Sequence, residues 1–150
     1  EFIEKAKTIY ARYADKIVLP ADLGYVENGV RRECRIGAVP TEICAVDIGS
    51  ETARQYESII LAAKTVFVNG PMGIFEQPET ELGTKTVFEA LGNTAGYTVV
   101  GGGDSVTAAA KYQVKDKLGY VCTGGGALIR FLTGEELPVV KALRHAAAAL

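Results

Sequence analysis

Any chemistry in this chain would be done largely by glycine. Gly101-Gly102-Gly103-Asp104-Ser105 and Thr123-Gly124-Gly125-Gly126-Ala127 each sit between an apolar run and a stretch of helical pattern. Glycine lets backbone approach a ligand closely, and the free N–H groups and positive dipole end of a helix start attract anions. The pair therefore reads as two phosphate cradles. The known nucleotide fingerprints do not account for them. A P-loop needs lysine after its last glycine, which neither triplet has, and Gly83-Thr84-Lys85-Thr86 lacks the order. A dinucleotide fingerprint needs a third glycine where Val106 stands, and the position about twenty residues on, at Thr123-Gly124, holds no acid. A dehydrogenase is disfavoured. His145, the one histidine, lies in an alanine-rich tail and suits a solvated surface, so no nucleophilic triad can be assembled. Phosphoryl transfer needs little of that chemistry, because in-line positioning and neutralisation of oxygen charge supply most of the rate. Glycines, one Asp and a metal ion meet that need.

The elements that must position these loops alternate as an α/β sheet requires. Phe2, Ile3, Ala6, Ile9, Tyr10 and Tyr13 share a helical face that ends near Asp15, and Ile17-Val18-Leu19 reads as a short buried strand stopped by Pro20. Asn28-Gly29 offers a tight turn between two half-polar arms, a small flap outside the main sheet over Tyr25 to Ile36. Residues 43–46 read as a strand or an extended loop, with Ser50 as N-cap of a helix from Glu51 to Lys64. Strands are predicted at 65–68, 97–100 and 120–121, with helices from Thr84 to Gly92, from Asp104 to Tyr112 and from the second triplet. Three loops, at Asn69, Gly101 and Thr123, thus follow the carboxyl ends of strands, where open parallel sheets bind ligands. The expected fold is α/β, a three-layer, mostly parallel sheet with helices on both faces.

Composition narrows the class further. The chain has 150 residues, about one domain, enough to bury roughly two thirds of its unfolded surface in one core. A net charge of −2, with Arg31-Arg32 the longest basic run, offers no field for nucleic acid or anionic lipid. Cys34, Cys44 and Cys122 have neither zinc nor disulfide-framework spacing, which points to a reducing compartment. No apolar run nears the about 18 residues that cross a bilayer, and no cleavable signal precedes the first element, so a cytoplasmic location is expected. Glu1-Phe2-Ile3 enters a helical pattern without an initiator methionine or N-cap, which predicts a cut left edge. The run Ala146 to Ala149 reads as a helical tail or an expression remnant.

Val68-Asn69-Gly70-Pro71-Met72-Gly73-Ile74-Phe75-Glu76 and the two triplets, in that order and spacing, closely resemble the nucleotide-binding domain of phosphoglycerate kinases. Leu19-Pro20-Ala21-Asp22, Asp47-Ile48-Gly49, Gly83-Thr84 and Gly134-Glu135-Glu136-Leu137-Pro138 match too. The resemblance covers nearly the whole chain. It implies a glycolytic phosphotransferase with a carboxyl acceptor, moving a phosphoryl group between 1,3-bisphosphoglycerate and ADP with Mg²⁺. It implies that Asn69 and Pro71 line the nucleotide pocket, that Glu76 accepts hydrogen bonds from the ribose hydroxyls, and that Gly101, Gly102 and Gly103 approach the phosphates. Asp104 is implied as the Mg²⁺-directed carboxylate, with Ser105 where threonine is usual, and Gly103, Gly124, Gly125 and Gly126 as donors to the transferring phosphoryl group. Cys122 and Leu128 stand where the family has serine, departures expected to leave the backbone donors intact.

The family's amino-terminal domain, which binds 3-phosphoglycerate through basic residues, and the first part of its nucleotide domain are not matched. Residues 1–150 are thus expected to be a partial nucleotide-binding domain with the substrate domain absent. With no Lys or Arg in either triplet, the chain alone is expected not to turn over. The parent is expected to be a monomer; the alternative reading is a non-catalytic module that binds nucleotide weakly or self-associates through an uncovered sheet. Plainer roles stand beside the functional ones. Glycines also serve as caps and turns, Asp104 suits a helix cap, Glu76 a solvated loop, and Asn69-Gly70-Pro71 a simple turn. Asp22 and Asp47 read as structural, and Tyr10, Tyr13 and Phe88 as core or domain-contact residues.

Overall fold

A computed structural model describes residues 2–40 and 42–148. Glu1, at the head of the first predicted helix, and Ala149, at the end of the alanine run, lie outside the described residues.

Among the described residues the architecture is two small sheets and six α-helices. Helix α1 (Phe2–Tyr13) and a short 3-10 turn lead to strands β1 (Asp22–Glu27) and β2 (Val30–Arg35). Asn28 and Gly29 both take positive φ, 51° and 75°, as a two-residue hairpin turn demands. A third strand, β3 (Asp47–Ile48), pairs antiparallel with β1, giving a flap separate from the main sheet. Then follow α2 (Ser50–Ala62), β4 (Thr65–Asn69), α3 (Leu82–Asn93), β5 (Tyr97–Gly101), α4 (Gly103–Lys111), β6 (Tyr120–Cys122), α5 (Gly125–Leu132) and α6 (Pro138–Ala148). Strands β4, β5 and β6 form a parallel sheet in that order, flanked by helices. The core sits between this sheet and α3 and α4, centred on Phe88, Leu91, Val87, Val100 and Ala108.

Three local expectations are corrected. Ile17-Val18-Leu19 forms no strand. Its backbone has no ladder partner among the described residues; the Val18 carbonyl instead accepts the Tyr56 hydroxyl at 3.0 Å, and Val18 and Leu19 remain exposed. The stretch 43–46 takes the second of its two expected forms, an extended loop, and the strand follows it at Asp47–Ile48. Ser50 does not cap α2, because the helix begins at Ser50 itself and its hydroxyl donates to Glu33 at 2.7 Å. The cap comes from the flap: the Asp22 carboxylate accepts the N–H groups of Glu51 and Thr52 at 3.0 and 2.8 Å. Thr84 likewise does not begin its helix; it is fully buried in the first turn of α3, and its hydroxyl accepts the N–H groups of Met72 and Gly73 at 3.1 and 3.2 Å.

Burial pushes the Asp22 carboxyl up, but the Thr52 hydroxyl and the N–H groups of Thr52 and Glu51 outweigh it and hold the net value below the usual aspartate range. A carboxyl lowered on folding contributes stability that is present above its unfolded value and is lost as pH falls through its folded value. Asp22→Ala is expected to cost about 2–3 kcal/mol at neutral pH, from the lost cap and the lost bond between the buried Thr52 hydroxyl and the carboxylate. Urea midpoints measured across the acid range should show a smaller deficit at low pH.

Candidate functional site

The register of the parallel sheet fixes the site. Asn69 aligns with Gly101, and Gly101 with Cys122, so the three strands end in one row and release their loops at the same edge. Hydrogen bonds then tie the loops together. Gly102 N–H donates to the Cys122 carbonyl at 2.9 Å, Gly70 N–H to the Ser105 hydroxyl at 2.8 Å, and the Asn69 side-chain amide to the Gly125 carbonyl at 3.5 Å.

The two triplets meet backbone to backbone. A Cβ at Gly125 would lie 2.9 Å from the Gly102 Cα, and one at Gly101 would lie 2.7 Å from the Leu128 side chain. Gly102, at φ 99°, occupies the left-handed region that only glycine takes freely. On the outer side the reverse holds: a Cβ at Gly103 or Gly126 would meet nothing within 4 Å. The joined triplets therefore present open backbone to solvent at the starts of α4 and α5. The N–H groups of a first helical turn have no carbonyl one turn ahead of them; Gly125 N–H is taken instead by the Thr123 carbonyl at 3.0 Å, while those of Gly103 and Gly126 stay available to an anion.

Beside this edge lies a cavity of 590 Å³ lined by Pro71, Glu76 and Asp104 together with residues 44–48 and 72–75. The Asp104 carboxylate, exposed at the first turn of α4, makes no hydrogen bond or ion pair with described residues. No Lys or Arg lines the cavity. Among the described residues no three His, Cys, Asp or Glu side chains gather into a metal cluster. A cation here would be held as Mg²⁺ commonly is, by one carboxylate and the oxygens of a bound phosphate.

Several sequence candidates thus converge: Pro71, Glu76 and Asp104 share the cavity, and Asn69, Gly101, Gly102, Gly103, Gly124, Gly125 and Gly126 share the sheet edge. Ser105 is fully buried, its hydroxyl spent on Gly70. The departure at Cys122 reaches the backbone after all, since Gly124 N–H donates to the Cys122 sulfur at 3.3 Å. Phe88 is core as expected, whereas Tyr10 and Tyr13 stay partly exposed, and α1 buries no residue. Sequence reasoning did not place residues 44–48 at the cavity, because Cys44, Ala45 and Val46 carry no motif and Asp47 reads as structural.

Comparison with known proteins decides what the arrangement belongs to. Residues 1–135 match the family described as phosphoglycerate kinase. The chain belongs to the phosphoglycerate kinase family. Curated phosphoglycerate kinases from Methanothermus fervidus and Akkermansia muciniphila are 38% identical over 146 residues and 46% identical over 136. These alignments cover 97% and 85% of this chain but 35% and 34% of the relatives. The solved phosphoglycerate kinase of Pyrococcus horikoshii superposes with a TM-score of 0.88 at 33% identity, and that of Coxiella burnetii with 0.86 at 31%. They cover 99% and 97% of this chain and 38% and 39% of those chains. The chain thus spans little more than a third of the phosphoglycerate kinases it resembles. Among its described residues no helix is long and apolar enough to cross a membrane.

Proposed function

We infer that this chain is the Mg-nucleotide-binding portion of a glycolytic kinase that moves a phosphoryl group between 1,3-bisphosphoglycerate and ADP. The observation that supports this most is the pairing of the joined, outward-open triplets with a cavity that holds both Asp104 and Glu76. In the forward direction the bond from phosphorus to the C1 carboxylate oxygen of 1,3-bisphosphoglycerate breaks as a bond to the β-phosphate oxygen of ADP forms. Gly101, Gly102 and Gly103 bring backbone to the nucleotide phosphates, with Asn69 and Pro71 lining the pocket. Gly124, Gly125 and Gly126 set the second cradle at the phosphoryl oxygens, with Gly126 N–H as its donor, since the Gly124 and Gly125 N–H groups are taken by the Cys122 sulfur and the Thr123 carbonyl. Glu76 takes the ribose hydroxyls. Asp104 would hold the Mg²⁺, which when bound neutralises phosphate charge. Ser105 acts from beneath, by fixing Gly70.

The 3-phosphoglycerate site and the cationic help that phosphoryl transfer needs lie outside these residues on this reading. Residues 1–150 are then part of the nucleotide domain of a cytoplasmic, monomeric parent. A second reading, a module that self-associates without turnover, is favoured by the uncovered apolar face of α1, where Phe2, Ile3 and Ile9 are 83%, 72% and 55% exposed.

Calorimetric titration with ADP and Mg²⁺ tests the assignment. Asp104→Ala should weaken binding by about tenfold with Mg²⁺ present, equivalent to losing one charge-assisted contact. It should change little when Mg²⁺ is chelated. Equal binding by the variant and the parent chain in Mg²⁺ would remove Asp104 from the site.

A further inference from the structure

Glu76 sits on a loop, and loops need a reason to hold a side chain still. Its neighbour Phe75 is 4% exposed, its ring in the main core, while Glu76 itself is exposed at the cavity. The Phe75 carbonyl accepts the Lys111 ammonium at 2.5 Å, and the same ammonium pairs with Glu81 at 2.7 Å. The Tyr112 hydroxyl holds Glu81 from the other side at 3.2 Å. Lys111 is the last residue of α4, the helix whose first turn carries Gly103 and Asp104.

The peptide joining Phe75 to Glu76 is planar, so fixing its carbonyl fixes the direction in which the Glu76 backbone leaves it. Ring and carbonyl pin that peptide at two points. An exposed lysine does not ordinarily order itself, at considerable rotamer entropy, to meet a backbone carbonyl. Here its charge-assisted hydrogen bond spans from the end of the phosphate helix to the loop that faces it.

We propose that Lys111 is a positioning residue that aims Glu76 into the cavity by holding the Phe75 carbonyl, and so sets the selectivity of the site for the ribose hydroxyls of a nucleotide. The inference rests on the nucleotide reading above. It ties sugar recognition to the same rigid helix that starts at the phosphates. The distance between the two subsites is then set by the length of α4 instead of by loop flexibility.

The test combines two measurements on the full chain and its Lys111→Met, Lys111→Arg, Glu76→Gln and Glu76→Gln/Lys111→Met variants. In titrations with Mg-ADP, Lys111→Met and Glu76→Gln should each weaken binding by about five- to tenfold, the double variant no further, and Lys111→Arg much less. With Mg-2′,3′-dideoxy-ADP all variants should match the parent chain. If Lys111→Met weakens both ligands alike, the lysine acts on general packing and the proposal fails; it fails also if Glu76→Gln weakens Mg-ADP and Lys111→Met does not. Amide exchange of residues 75–77 in the unliganded chain gives a readout independent of any nucleotide. Faster exchange there in Lys111→Met, with the core amides unchanged, supports the latch even where ADP binding is undetectable or blind to Glu76, an outcome that overturns the ribose reading alone. Unchanged exchange overturns the latch.

Discussion

Arg31→Met is expected to lower the unfolding free energy by about 3 kcal/mol at neutral pH, the lower end of the cost of stripping one partner from a buried ion pair. Arg31 lies across Gly24, where an added Cβ would come within 2.7 Å of the guanidinium. It donates to Asp47 at 3.0 Å, to the Ile48 carbonyl at 2.9 Å and to the Glu79 carbonyl at 3.2 Å. The Asp47 side chain is fully enclosed and also accepts Gly83 N–H at 2.8 Å. Burial holds its carboxyl above the usual range, against the pull of the Gly83 N–H and the Arg31 charge, and removing the charge pushes it higher.

For a carboxyl raised on folding, stability is fully present below its unfolded value and is lost as pH rises through its folded value. The deficit of Arg31→Met should therefore be larger at neutral than at acid pH, where a carboxyl raised by burial takes up its proton early. Urea denaturation at both pH values checks the sign. Arg31→Met/Asp47→Leu should regain much of the loss at neutral pH. A deficit independent of pH would mean that the guanidinium matters for its two carbonyls and not for Asp47.

The second large effect is expected at the seam between the triplets. Gly125→Ala places a methyl group 2.9 Å from the Gly102 Cα and 3.5 Å from its nitrogen, backbone that cannot swing aside as a flexible side chain would. It should cost about 1–3 kcal/mol of stability by overpacking. By parting the two cradles it should also weaken Mg-ADP binding by at least about tenfold. Gly126→Ala is the informative contrast, because its Cβ meets no protein atom within 4 Å. Its stability should stay within about 0.5 kcal/mol of the parent chain, as for ordinary surface changes. Its nucleotide binding should still fall, since the methyl group enters the space a phosphate would use. Titration and thermal melts of the pair separate the two effects; retention of full affinity by Gly126→Ala would place the ligand elsewhere.

The parallel half of the fold was legible because its signals are local. Apolar runs at 65–68 and 97–100, each followed by glycine or Asn-Gly, announce strands and the loops that leave them, and those strands carry the convergence of Asn69, Gly101 and Cys122. The hairpin was legible for the same reason, since Asn28-Gly29 names its own turn. The failures lie where a distant partner decides. Ser50 has the chemistry of a cap, but Asp22, far back in sequence, reaches the helix first. Ile17-Val18-Leu19 has the composition of a strand and no neighbour among the described residues to pair with. Within the candidate site, glycine order announced the two triplets that meet at the sheet edge, whereas the wall at Cys44, Ala45 and Val46 and the Lys111 bond to the Phe75 carbonyl depend on tertiary placement that no short pattern encodes.

The segment from Gly70 to Glu81 is where the two sheets communicate. Ile74 N–H bonds the Val46 carbonyl at 2.9 Å and the Glu79 carbonyl takes Arg31, both on the flap side; Gly70 bonds Ser105 and Phe75 bonds Lys111, both on the parallel side. Mechanically this loop is a coupling rod. It joins the hairpin to both the start and the end of α4 by direct hydrogen bonds, so the flap and that helix share one frame around the cavity.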